Sequence, residues 1–302
     1  MKFSTALVAA AVATTAVHAQ DQSSCVQLDY TQKAKDFNSL NGVIDLAVNT
    51  GLIGTFTKPY DPLAVAGETL DVIPVSILGH DFEVTPTIKA ANFTGVSTVH
   101  PHHLNVTGPT NVNLGVDFTG TLAFDGTFSL SIKQVNKQWW QLCYTDLLHP
   151  AECKPKTTEI EVGLSVTKPQ AVVDINYAMM TCPTPAGTCK PLAVADILTA
   201  ALTKKFDVLL KRILLRSKSL ELTKIDLDFE KINEIHFHFL KSGPLLTAIG
   251  QKLFDFTEDA LNKKGPVSKI AIDVTEKLGK SLVNNLVKGA LAPQFGSGCF
   301  DA

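Results

Sequence analysis

The chain has 302 residues, with 27 basic and 29 acidic side chains, 45% apolar residues, 19% charged residues and six cysteines. That length supports one large domain or two small ones with a sizeable core, and a net charge of −2 without a long Lys/Arg run argues against nucleic-acid binding by phosphate neutralisation. A mean hydropathy of +0.15, with no 18-residue apolar run beyond residue 20, excludes both disorder and a membrane-spanning helix.

Residues 1–19 have the layout of a secretory signal. Lys2 supplies the positive start, residues 6–12 are apolar, and Val17 and Ala19 are small at the −3 and −1 positions of a cut. The expected mature chain is therefore a single domain over 20–302, secreted and extracellular, with net charge −3 after loss of Lys2. An even number of cysteines in an oxidising compartment favours disulfides over metal ligation. Cys143/Cys153 and Cys182/Cys189 each enclose a short stretch with turn residues, which leaves Cys25 to pair with Cys299 and staple the chain ends. Asn92-Phe93-Thr94 and Asn105-Val106-Thr107 are glycosylation sequons.

In chain order, residues 33–53 place Phe37, Leu40, Val43, Ile44, Ala47, Val48 and Leu52 at helical spacing. Residues 55–68, with Pro59, Pro62 and Gly67, read as a loop, and a β-rich half follows over 70–177. Its clearest stretch is 111–132, where every even position is apolar or glycine, from Val112 through Phe118, Gly120, Phe124, Gly126 and Phe128 to Ile132. At about 3.3 Å per residue this is a long strand path with one oily and one wet face. A two-residue turn at Asp125-Gly126 would break the parity. Two arrangements keep it: one long strand bent at Gly120 or Gly126, or a three-residue loop at 125–127. Helical spacing returns at Val194, Ile197, Leu198, Ala201, Leu202, Leu209 and Ile213, predicting a helix to about Leu215. Alternation at 219–230 and 235–240 predicts strands, and two helices follow, at 245–260 and 267–290, separated by Gly265-Pro266.

Helix, long sheet, then helices is an α+β order. A long twisted antiparallel sheet curls, and a helix laid in its groove fills it imperfectly, so one reading is an apolar tunnel. The other is that these faces fill a solid core.

The passage Ile232-Asn233-Glu234-Ile235-His236-Phe237-His238-Phe239, followed by Lys241-Ser242-Gly243 and the helix beginning Leu245-Leu246-Thr247-Ala248-Ile249, resembles the strand-to-helix passage of the bactericidal/permeability-increasing protein family. Residues 118–132 are similar to that family's central sheet, a look shared by insect Takeout and juvenile-hormone-binding proteins in the tubular lipid-binding superfamily. The resemblance covers 111–132 and 232–286. It implies a single tubular module, a long curved antiparallel sheet wrapped around amphipathic helices, holding a phospholipid, fatty acid or sterol. On that reading the helices at 33–53 and 246–256 pack against the even face of 112–132, and Val43, Leu46, Phe118, Phe124, Phe128 and Leu253 line the tunnel. The mature charge of −3 departs from the basic tip with which antibacterial members engage lipopolysaccharide.

No catalytic pattern stands out: Gly296-Ser297-Gly298 lacks the frame of a nucleophile elbow, and neither an H-E-x-x-H nor a Gly-rich phosphate loop occurs. His100-Pro101-His102-His103 reads either as a solvated extended loop or as a metal cluster, with no acidic ligand beside it in sequence. His236 and His238 lie on an outward polar strand face or at a lipid headgroup. Trp139-Trp140, near Lys137 and Cys143, marks either a core position or a tip that touches a membrane interface. Met179-Met180 reads as gap-filling. The expectation is a secreted, non-enzymatic carrier of an apolar ligand without cofactor or metal. The alternatives are a secreted structural or interaction protein with a filled core, and a hydrolase whose site only geometry can show.

Overall fold

The computed structural model describes residues 25–77, 79–145, 151–184, 186, 189–203, 206–241, 261–263 and 266–300. The signal segment, the helix at 245–260 and Leu253 lie outside them. Mostly antiparallel sheets with some helices make the chain α+β, and two compact units are distinguished: Met1–Leu28 with Met179–Lys218 and Phe295–Ala302, and Asp29–Ala178 with Ser219–Gln294.

The larger unit contains α1 (Ala34–Asn49), α2 (Leu52–Thr57), β2 (Leu63–Val65), β3 (Ile73–Ile77), β4 (His80–Thr94), β5 (Val99–Val106), β6 (Asn111–Phe118), β7 (Thr121–Val135), β8 (Lys156–Thr167), most of β9 (Gln170–Thr181) and β10 (Ser217–Asp228), β11 (Lys231–Lys241) and α5 (Pro266–Leu286). One sheet has the order β11-β8-β7-β4-β2, with β3 also on β4; in the other, β9 lies between β6 and β10, and β5 forms the far edge. Four connections cross between these sheets, at 95–98, 119–120, 168–169 and 229–230. The first of the two strand arrangements is therefore the one found. The path 111–135 bends at Thr119-Gly120 and runs straight through Gly126, which stands opposite Ala91 and Val162. Residues 55–57, expected as loop, complete α2.

The corner has chemical fasteners. Gly95 sits at φ +89°, and a Cβ there would come within 2.1 Å of the Thr121 carbonyl oxygen, so only glycine lets the strands approach. The Asp61 carboxylate accepts the backbone N–H groups of Gly95 (2.9 Å) and Ser97 (3.0 Å) and the Ser97 hydroxyl. These bonds, the Ser97 hydroxyl's foremost, hold the Asp61 carboxyl below its usual range.

The first sheet packs a dense core. Phe128 lies opposite Ile88 and Ile160, Phe124 opposite Phe93 and Leu164, and α5 covers the face with Leu278 and Leu282. Both flanks of α5 are tied down. Ser281 accepts from Asp71 N–H (2.8 Å) and Asn285 donates to the Thr69 carbonyl (2.8 Å); on the other flank Asn284 and Glu276 bind the β10 backbone at Leu222 and Leu227.

The smaller unit holds α3 (Val194–Thr203) and α4 (Phe206–Arg216), two helices where the periodicity predicted one. Here β1 (Val26–Gln27) pairs with the end of β9. Two disulfides lie in this unit, Cys25–Cys299 and Cys182–Cys189, and the third, Cys143–Cys153, is in the larger one; the Cα–Cα distances are 5.7, 5.6 and 5.5 Å. Backbone N–H groups of the tail cap α4: Gly296 donates to Leu214 and Gly298 to Leu215, satisfying carbonyls left open in the last helical turn. Ser297 donates its N–H to the Ser217 carbonyl, so the Gly-Ser-Gly run belongs to this cap. Arg216, only 1% exposed, donates to the carbonyls of Arg212, Lys190 and Cys299.

Candidate ligand-binding face

In the second sheet of the larger unit the register sorts the side chains by polarity, with Val172, exposed on the polar face, an exception. Val106, Val112 and Ile175 form one cross-strand row, Leu104, Leu114 and Val173 the next, then Pro101, Val116 and Ala171, and finally Val99 beside Phe118. Directly opposed residues share a face, so every side chain in these rows points the same way and every one is apolar. The other face carries Asn105, Asn113 and Asp174 in one row and His100, Asp117 and Gln170 in another. Asn113 donates to Asp174 across it at 2.7 Å.

The apolar face is incompletely buried. Val112, at 6% exposure, is its one fully buried member; the others are all half-buried. Across the corner, the same even parity gives Phe128, Leu130, Ile132, Ile160 and Ile88 as closed core. The opposite face is half-buried too at His100, Asn113, Asp117 and Asp174, so what sets these rows apart is that every side chain in them is apolar.

Helix α1 lies against β5, the sheet's edge. The Asn41 carboxamide accepts the Leu104 N–H at 2.8 Å and donates to the Leu104 carbonyl at 3.0 Å, doing for this edge strand what a neighbouring strand would do. Asp45, one turn on, meets His103 Nε2 at 2.9 Å. Among its apolar residues Val43 is half-buried and Leu46 is exposed. Two recesses formed by described residues flank this contact. One, of about 360 Å³, lies under the first turns of α1, where Phe37 and Asn41 face Leu104 and Val106. The other, of about 370 Å³, is on the wet face among Asp45, His100, His102, His103 and Asn113.

The expected tunnel residues are thus divided. Phe124 and Phe128 stand together in the first sheet's core, ring centroids 5.7 Å apart, with Phe93 at 4.8 Å from Phe124. Phe118 ends the apolar face of the second sheet, and Val43 and Leu46 lie on α1 beside its edge. The histidine run is a strand with a bulge, not a loop, because Val99 and Pro101 pair with β6. Its acidic partners come from elsewhere: His102 Nε2 meets Asp117 at 2.6 Å, and His103 meets Asp45. Among the described residues, no cluster of three or more His, Cys, Asp or Glu is arranged to hold a metal. His236 lies across Gly163, where a Cβ would come within 2.0 Å of its ring, on the face opposite Phe237 and Phe239. Asn92 and Asn105 are both exposed. Asn41, Asn262 and Asn284, each bonding both polar groups of one strand residue, were not singled out by sequence patterns. Among the described residues, no helix is long and apolar enough to cross a membrane.

No protein-family model matches this sequence, and no curated protein matches it. Among solved structures, Epiphyas postvittana Takeout 1 is similar over 76% of this chain and 82% of that chain, at 10% sequence identity and a TM-score of 0.33.

Proposed function

We propose that this protein is a secreted, non-enzymatic carrier of an apolar ligand, a phospholipid, fatty acid or sterol, held along the apolar face of the β5-β6-β9 sheet. One observation carries the reading: rows of exclusively apolar side chains, from Val106-Val112-Ile175 to Val99-Phe118, all half-buried except the buried Val112, continue the parity of a sheet whose own core is tightly packed. Hydrocarbon transfer supplies the affinity. At roughly 0.8 kcal/mol per methylene, a sixteen-carbon chain gains about 12 kcal/mol by leaving water, so few polar contacts are needed. The tubular enclosure by amphipathic helices and the single module over 20–302 are part of this proposal. So are cleavage after Ala19 and glycans on Asn92 and Asn105. Three disulfides support an oxidising compartment.

The test is uptake of a fluorescent fatty acid by delipidated protein, with Leu114→Ser and Val173→Ser as variants. Both substitutions place a hydroxyl on the apolar face. Saturable uptake, weakened about tenfold or more in the double variant while circular dichroism is unchanged, is the expected result. Absence of uptake, or uptake indifferent to the substitutions, contradicts the reading.

A second reading, a secreted interaction protein with a filled interior, draws support from Phe124 and Phe128, which close against Phe93, Leu278 and Leu282. It requires that delipidated protein take up no hydrocarbon.

A further inference from the structure

Trp139 and Trp140, the chain's two tryptophans, lie in a turn between β7 and β8 and stand in solvent, 87% and 65% exposed, with Leu142 62% exposed beside them. Strand alternation, which would turn one ring inward, does not operate there. The indoles touch each other edge to face at 5.5 Å. Beneath them the loop is braced. Cys143 is fully buried in its bond to Cys153, and the buried Gln134 side chain accepts the Tyr144 N–H at 2.8 Å. Gln141 closes the turn by donating its N–H to Gln138 and accepting that residue's N–H on its side chain, and Lys137 Nζ donates to the Gln141 carbonyl at 3.0 Å. Both roots of the loop hold non-glycine residues at positive φ, Asn136 at 53° and Cys153 at 46°.

We propose that this tip docks on a phospholipid bilayer, with both indoles lodged at headgroup depth. The geometry favours lipid over a protein partner. The three protruding apolar side chains among the described residues fall far short of the roughly 800 Å² per partner that a stable protein interface covers. An indole pairs an apolar ring with a polar N–H, which suits the boundary between acyl chains and water. Lys137 is committed to the loop through the Gln141 carbonyl and Lys154 is paired with Glu152 at 2.6 Å, so the docking rests on the indoles and not on charge. The inference does not depend on what the sheets bind.

Because no other tryptophan exists in the chain, intrinsic fluorescence reports on the tip alone. The full secreted protein is titrated with phosphatidylcholine vesicles, with and without acyl chains brominated near the headgroup, and vesicle binding is measured in parallel by flotation. The expected results are a blue shift on adding vesicles, strong quenching by the brominated lipid, and a loss of flotation of at least about tenfold in W139A/W140A with its melting temperature unchanged. Emission that ignores vesicles overturns the proposal. So does flotation that the double variant retains, or a blue shift that appears on raising protein concentration without lipid, which would assign the tip to a second copy of the chain.

Discussion

At Arg216 a guanidinium has been taken out of water and given carbonyl partners from three places, its own helix, the Lys190 segment and the Cys299 tail. Truncation removes these charge-assisted bonds and leaves buried carbonyls open, so Arg216→Ala is expected to destabilise the protein by about 3 kcal/mol or more, with Arg216→Lys recovering part of it. Urea unfolding measures both. Gly163→Ala is a sharper steric test: a methyl within 2.0 Å of His236 must displace that ring, whereas the double variant with His236→Ala should recover stability. Neither residue announces itself in the sequence. Arg216 follows Lys211 and Arg212 on a helix, a pattern that normally marks a solvated face, and its burial arises from a tail stapled to Cys25, 274 residues from Cys299.

At the level of elements, edge strands are managed by side-chain amides. Asn41 serves β5, Asn284 serves β10 and Asn262 serves β11, each donating to and accepting from one backbone residue. Asn41→Ala is expected to weaken the seating of α1 by about 1–2 kcal/mol, read as faster amide exchange through the helix and at Leu104. The corner clasp responds to pH. Asp61 titrates lower in the folded chain than in the unfolded one, so its contribution is full above the unfolded value and is lost as pH falls through the folded one. The melting-temperature gap between wild type and Asp61→Asn should therefore be constant near neutrality and shrink below about pH 4. The amphipathic periods of α1 and α5 and the even parity of 112–132 were legible because apolar spacing is local information. The bend at Gly120 appeared only as one of three options, beside a bend at Gly126 and a loop at 125–127. The docking amides were not legible, since Asn41 and Leu104 are 63 residues apart and no period connects them.

On the scale of the molecule, the even-numbered apolar face continues from one sheet to the other, packed as core beyond the corner and mostly half-buried before it. The packed part gives stability; the half-buried part is where the proposed ligand lies. Native mass spectrometry of the full protein purified without detergent tests this most directly. The predicted result is a population heavier than the bare chain, after enzymatic deglycosylation, by the mass of one lipid that dissociates on collisional activation. A spectrum of bare chain alone, unchanged after incubation of the protein with fatty acid and phospholipid, would contradict it.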